Sequence, residues 1–388
     1  MGALQIAWKK NVTGLGDVFM TKSCDSGSLP FVGDFKSFLE GATRFEHYLT
    51  SDSARFFEKR VMEGFLDKIE AGIDVPNYPQ FRDMSEMFLA MMDGVERVRG
   101  GYRETKIPSL KPDRSLIPEV LVIKKNSQMI YEKKKPFEVK ICVTGPYTLS
   151  SIFLSRDNEI FSRLGNIIAQ IVENNVFSEK HSRVSLVAVD EPAFGLQDDP
   201  LIDLGSGGRE NLRNAWESIF HKARSKNAQT LLHLHNTSDE LFWETKFLNV
   251  IDSHIDDPVY RMKKTKERLE STDKFLKASV SIADFDTLIK RRIITTSRQK
   301  MTELSMNQKV AEAWTNITRR KTDPETFLEK LNITKKRLIE TTGRFGPERI
   351  PYAGPECGLK GFPNYECALE CLRRVSITVK TYMKNVKA

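Results

Sequence analysis

Apolar and polar positions along this chain follow two alternating periods. Eight short runs carry the extended, β-type pattern: 16–21, 72–75, 137–143, 184–189, 229–234, 248–251, 276–282 and 349–353. Helical spacing fills the gaps between them. Phe56, Phe57, Val61, Phe65 and Ile69 recur at three- and four-residue intervals, as do Ile160, Leu164, Ile167, Ile168 and Ile171. Amphipathic stretches also cover 208–226, 258–272, 297–318, 324–341 and 363–384. Thr296 and Asp323 read as N-caps, Thr296 with Gln299 has capping-box spacing, and Gly343 reads as a stop. Repeated β-then-α units predict parallel strands joined by right-handed crossovers, and eight of them predict an α/β (β/α)8 TIM barrel.

Residues 105–136 break the alternation. Val120 to Ile123 and Met129 to Tyr131 flank Lys124-Lys125-Asn126-Ser127, which reads as a β-hairpin inserted before the third barrel strand. With no Gly-, Pro- or Ser-rich linker and no internal repeat, residues 1–388 are expected to form one domain.

Composition narrows the class. At 388 residues, 40% of them hydrophobic, the chain can bury a large core. No run approaches the roughly 20 apolar residues of a membrane span, and the N-terminus lacks a signal-peptide pattern, so a cytoplasmic protein is expected. Five irregularly spaced cysteines do not form a disulfide framework. In a reducing compartment the sequons at Asn11, Asn236, Asn316 and Asn332 are chance matches. The net charge of +8 is spread among acids. The one dense basic run, Lys133 to Lys135 near Lys124 and Lys125, lacks interleaved aromatics, so nucleic acid is not an expected partner.

Chemistry-bearing residues gather after the strands, where a barrel has its active mouth. Cys24 to Pro30 follows the first run, Asn77 to Met84 the second, Thr144 to Tyr147 the third and Asp190 to Ala193 the fourth. The fifth carries His233-Leu234-His235, whose two imidazoles share one face of a strand. The sixth leads to His254-Ile255-Asp256-Asp257 and the eighth into Pro355-Glu356-Cys357-Gly358. Two histidines and a distant cysteine make a plausible metal site; polar residues at a strand end are the plain alternative. Asp190-Glu191-Pro192 could equally cap a helix. Cys24, Cys142, Cys367 and Cys371 read as packing residues.

In order, these segments resemble the catalytic barrel of cobalamin-independent methionine synthase, in the superfamily that includes uroporphyrinogen decarboxylase. Gly27-Ser28-Leu29-Pro30 is similar to that family's Gly-Ser-Phe-Pro turn, Thr144-Gly145-Pro146 to its Thr-Gly-Pro turn and Asp190-Glu191-Pro192-Ala193 to its Asp-Glu-Pro-Ala motif. Pro355-Glu356-Cys357-Gly358-Leu359-Lys360 is similar to its Pro-Asp-Cys-Gly-Leu-Lys. The resemblance implies a zinc-dependent methyltransferase that methylates the thiol of homocysteine to give methionine. It implies zinc on His233 and Cys357, with His235 where the family has cysteine and Asp256 or Asp257 near its glutamate position. By strand alternation His254 competes for that last place. It further implies Gly27 and Ser28 at the substrate carboxylate, Asp190 at the ammonium and Gln80 as an approximate second ammonium contact. A histidine that the family carries after its seventh strand has no counterpart in Ser279 to Asp284.

The long form of that synthase resembles two fused barrels, the first helping to grip the folate donor; this chain corresponds to the second alone. A methyl-corrinoid, free or on an acidic partner protein, is therefore the expected donor, with methyltetrahydrofolate the family's usual one. Two rivals stand beside this reading. One is a decarboxylase of the uroporphyrinogen type, which needs cationic residues such as Arg82 and no metal. The other is a non-catalytic, ligand-binding paralogue with a decayed metal site.

Overall fold

The computed structural model describes residues 20–45, 50–134, 136–297 and 301–387. Nine strands run through them: β1 (Lys22–Ser23), β2 (Met92–Val98), β3 (Gly101–Leu110), β4 (Phe137–Thr144), β5 (Ser182–Glu191), β6 (Gln229–Leu234), β7 (Val250–Asp252), β8 (Phe275–Ser281) and β9 (Tyr352–Pro355). Seven form one curled parallel sheet in the order β1-β9-β8-β7-β6-β5-β4. Its edge strands do not pair with each other. Between them lies the segment 75–77, where Val75 bridges Cys24 and Asn77 bridges Lys140, both in parallel. That irregular stretch takes the eighth position of a TIM-barrel-like α/β fold. Helices Asp52–Glu70, Ile160–Asn175, Gly207–Ser225 and Tyr365–Lys387 belong to the outer layer. The central strands are buried on both faces, hence their nearly continuous Val, Ile, Leu and Ala.

Alternation along the strands stacks the barrel interior in layers. Cys24, Val75, Cys142, Leu186, Ala188, Leu231, Val250 and Tyr352 form an apolar floor separate from the main core. Leu231 stands opposite Val250, and His233 opposite Asp252, so each inward step along β6 is matched on β7. The floor therefore carries a polar layer directly above it.

Several expectations shift in position. A hairpin does precede the third barrel strand, but it is β2–β3, closed by the two-residue turn Arg99-Gly100 with Gly100 at φ +92°. Its strands are largely charged on their exposed face, which hid them from a search for apolar alternation. Residues expected to form that hairpin are instead helices Pro118–Lys125 and Ser127–Lys133. Pro118 opens the first of these, and Val120, Val122 and Ile123 are buried, a run too short for its period to be read. Thr296 ends the helix Phe285–Thr296 rather than starting the next; Thr302 caps Glu303–Thr318. Gln299, and residues 16–19 of the first expected strand, lie outside the described residues. Asp323 caps a 3-10 turn, Pro324–Phe327, and the helix Leu331–Phe345 passes through Gly343 to stop at Gly346. The stretch 258–272 divides into Pro258–Arg261 and Lys264–Ser271.

Candidate metal centre

Register brings the histidines together. His233 on β6 pairs with Asp190 on β5 and with Asp252 on β7. Two residues further along each chain, on the same inward side, come His235 and His254. Cys357 arrives from the turn after β9. The ligand atoms of His233, His235, His254 and Cys357 all lie within 4.8 Å of one another. Cys357 Sγ is 3.5 Å from His235 Nε2, and the rings of His235 and His254 are 4.2 Å apart at their centroids.

Electrostatics organise this group around His233. Its Nδ1 is 3.1 Å from Asp252 Oδ2, which also accepts from the buried Lys277 ammonium at 2.8 Å. Burial disfavours the Asp252 charge, yet Lys277 and His233 hold its carboxyl well below the usual carboxylate range. Burial likewise pushes His233 down, but Asp252 and Cys357 outweigh it and raise the imidazole to about 10. For Cys357, burial opposes ionisation, and the three neighbouring imidazoles reverse it, leaving the thiol well below its ordinary 9.0.

These residues fit a zinc ion. The Nε2 atoms of His233 and His254 are buried and without a hydrogen-bond partner, an uncompensated cost unless something else binds them. Imidazole and thiolate are zinc's preferred donors, and tetrahedral bonds place ligand atoms about 3.4 Å apart, a modest contraction of this cluster. Asp252 fixes His233 with Nδ1 inward to the protein and Nε2 toward the cluster.

The residues expected at the substrate lie around the same mouth. Asp190 is 8% exposed, with Cys142 Sγ 2.5 Å from its Oδ2. Burial raises its carboxyl, while His233 and Lys140 oppose that shift. Glu191, one step along, faces the helices and accepts from Tyr147 N, Thr148 N and Trp216 Nε1, so the two acids have opposite surroundings. Gln80 is buried, Oε1 3.8 Å from Cys142 Sγ and Nε2 3.7 Å from Met87 Sδ. The Gly27-Ser28 turn abuts the Cys357 turn: Leu359 N donates to Ser28 O at 3.0 Å. Gly27 sits at φ +112°, where only glycine is comfortable, and its N–H is already committed to Asp25.

Asp256 and Asp257, expected near the metal, lie elsewhere. Asp256 is on the surface, its side chain 65% exposed and paired with Arg261 and Arg291. Asp257 caps Pro258–Arg261 and accepts from Thr237. Alternation does not run on to them: β7 ends at Asp252, and the chain turns after His254, whose carbonyl accepts from Asp257 N at 3.0 Å. Arg82, which a tetrapyrrole decarboxylase would need free, is bound at both ends of its guanidinium by Glu119. Sequence reasoning missed Asp252 and Lys277. Asp252 was findable, since it stands two residues before His254 on the same face. Lys277 was not, because a lysine inside an apolar strand carries no sign of its partner.

No family model and no curated protein matches the sequence. Solved structures do match the fold. One is a B12-independent methionine synthase from Shewanella sp. W3-18-1 in complex with selenomethionine, at TM-score 0.57 and 12% identity over 95% of this chain and 99% of that one. Another is a Listeria monocytogenes protein assigned as a vitamin-B12-independent methionine synthase, at TM-score 0.54 and 12% identity over the same shares. At that identity the likeness establishes a common fold over nearly the whole of both chains.

Proposed function

We propose that this protein is a zinc-dependent methyltransferase acting on the thiol of homocysteine. The observation that carries the reading is the convergence of His233, His235, His254 and Cys357 at the barrel mouth, two of the imidazoles with orphaned Nε2 atoms. Zinc on these residues would supply Lewis acidity that stabilises a thiolate at neutral pH. The protein's own groups would do the rest. Asp190, buried one strand from His233, would hold the substrate ammonium, and that cation would offset the cost of its burial. Ser28, in the turn against Cys357, would meet the substrate carboxylate, while Lys68 braces the turn through Asp25 and the Gly27 carbonyl. Gln80 would lie beside Asp190, bounding the ammonium pocket with Cys142. Three neutral imidazoles and one thiolate bring a single negative charge, fewer than the family's set, so a more reactive methyl donor suits the site. A methyl-corrinoid is favoured over methyltetrahydrofolate.

The test combines composition and turnover. Protein purified without chelator should hold about one zinc per chain, and Cys357→Ser should lose most of it. Homocysteine with methylcobalamin should yield methionine faster than with methyltetrahydrofolate, and Asp190→Asn should weaken homocysteine binding with zinc retained. Absence of zinc would refute the centre, and faster turnover with folate would refute the donor. A second reading, a ligand-binding barrel without turnover, is favoured by one observation: four protein side chains already complete a tetrahedral set, whereas catalytic zinc keeps a position open. Homocysteine leaving the spectrum of cobalt-substituted protein unchanged would support it.

A further inference from the structure

The barrel interior holds a buried ammonium that the proposed chemistry does not use. Lys277, on β8, is fully buried. Its Nζ donates to Asp252 Oδ2 at 2.8 Å and to the Pro355 carbonyl at 2.7 Å. Asp252 Oδ2 in turn meets His233 Nδ1, and Pro355 stands two residues before Cys357. A single side chain thus touches the supports of two residues of the cluster that are 124 positions apart in the chain. Its own strand is also held: the Lys277 carbonyl accepts from Tyr260 Oη at 2.6 Å, and Ser279 Oγ donates to the Ser253 carbonyl at 2.6 Å, next to Asp252.

Stability is a poor reason for such an arrangement. Desolvating a lysine and an aspartate costs about what their attraction returns, and apolar replacements of buried pairs are often neutral or better. What the pair does supply is direction. Apart from Lys277, Asp252 is held by His233 at Oδ2 and by a long bond of 3.3 Å from Ser279 Oγ at Oδ1. With Lys277 on the same oxygen as His233, its carboxylate is fixed, and with it the imidazole plane. The Pro355 carbonyl is drawn to the same nitrogen, which sets where the strand ends and where the Cys357 thiol begins.

We propose that Lys277 is a positioning residue of the metal centre, joining His233 through Asp252 to Cys357 through the Pro355 carbonyl in one fixed ligand geometry. This rests on the reading of the His–Cys cluster as a metal site. The experiment is cobalt(II) binding to the full-length protein after metal removal, followed by the thiolate-to-cobalt absorption band and by competition with a chromophoric chelator. Lys277→Met and the isosteric Asp252→Asn should each lower cobalt affinity at least tenfold, the usual scale for losing the partner of a metal-bound histidine, and should shift the absorption band. The buried pair Arg82–Glu119 serves as control, since a merely structural role would make Glu119→Gln as harmful. If Lys277→Met does not fold, Asp252→Asn carries the test. Cobalt binding by the parent protein with affinity and spectrum unchanged in the variants, or changed equally by Glu119→Gln, would overturn this inference alone. No cobalt binding by the parent protein would overturn the metal reading and this inference with it.

Discussion

In metal-free protein Cys357 should be an unusually reactive thiol, and its behaviour can be worked out from the cluster. An ordinary thiol at 9.0 is about 1% ionised at pH 7, and its alkylation rate rises tenfold per pH unit below its pKa. Cys357 is pushed well below that value, because the neighbouring imidazoles of His233, His235 and His254 outweigh its burial. It is therefore more ionised near neutral pH than an ordinary thiol. A depressed pKa also lowers intrinsic nucleophilicity, by about half a log unit per unit of pKa, so the absolute rate is less informative than its slope. The slope between pH 6 and 8 should be shallower than that of an ordinary thiol. The other four cysteines are buried. Burial raises Cys24 to about 11 and Cys371 to about 12, and Cys142 and Cys367 move the same way, so they should stay silent. Iodoacetamide labelling of metal-free protein, mapped by mass spectrometry, should modify Cys357 first and with a weaker pH dependence than an ordinary thiol, and added zinc should suppress it. A tenfold rise per pH unit, or earlier modification of another cysteine, would refute the electrostatic account of the cluster.

Three further outcomes are expected. His254→Ala should lower zinc affinity at least tenfold, whereas Asp256→Asn should leave it unchanged, because Asp256 is 65% exposed and paired with arginines; chelator competition measures both. Gly27→Ala should cost about 2–4 kcal/mol in urea unfolding, since its Cβ would fall 2.2 Å from Asn77 Nδ2 at φ +112°; an unchanged midpoint would mean the turn relaxes freely. Burial pushes the Lys274 ammonium down from 10.5 to about 8. Because the folded state resists its proton, it destabilises the fold fully below pH 8, and the penalty fades between 8 and 10.5. Lys274→Met should then be more stable at pH 7 by about 1–3 kcal/mol, with the difference gone near pH 10.5.

The chain's periodicities carried the barrel. A buried parallel strand must be an apolar run bounded by polar turns, and a helix on its outside must be apolar on one face, so six of the expected strands and most helices could be read directly. The second strand shrank to bridges at Val75 and Asn77, where Asn77 N donates to Asp25 Oδ1 and Asn77 Nδ2 to the Ser26 carbonyl, so its polar groups bond the Gly27 turn in place of a ladder. Hairpin β2–β3 escaped notice since its pairing rests on a glycine turn and cross-strand charges. Within the site, His233, His235 and Cys357 could be singled out from residue type and period. Whether His254, Asp256 or Asp257 faced inward depended on where β7 stops, which is set by its three-residue pairing with β6. Asp252 and Lys277 acquire meaning only from neighbours on other strands. Local sequence determines which face of a strand a residue occupies; the partners it meets there depend on register and barrel closure, which are decided by the packing of the whole chain.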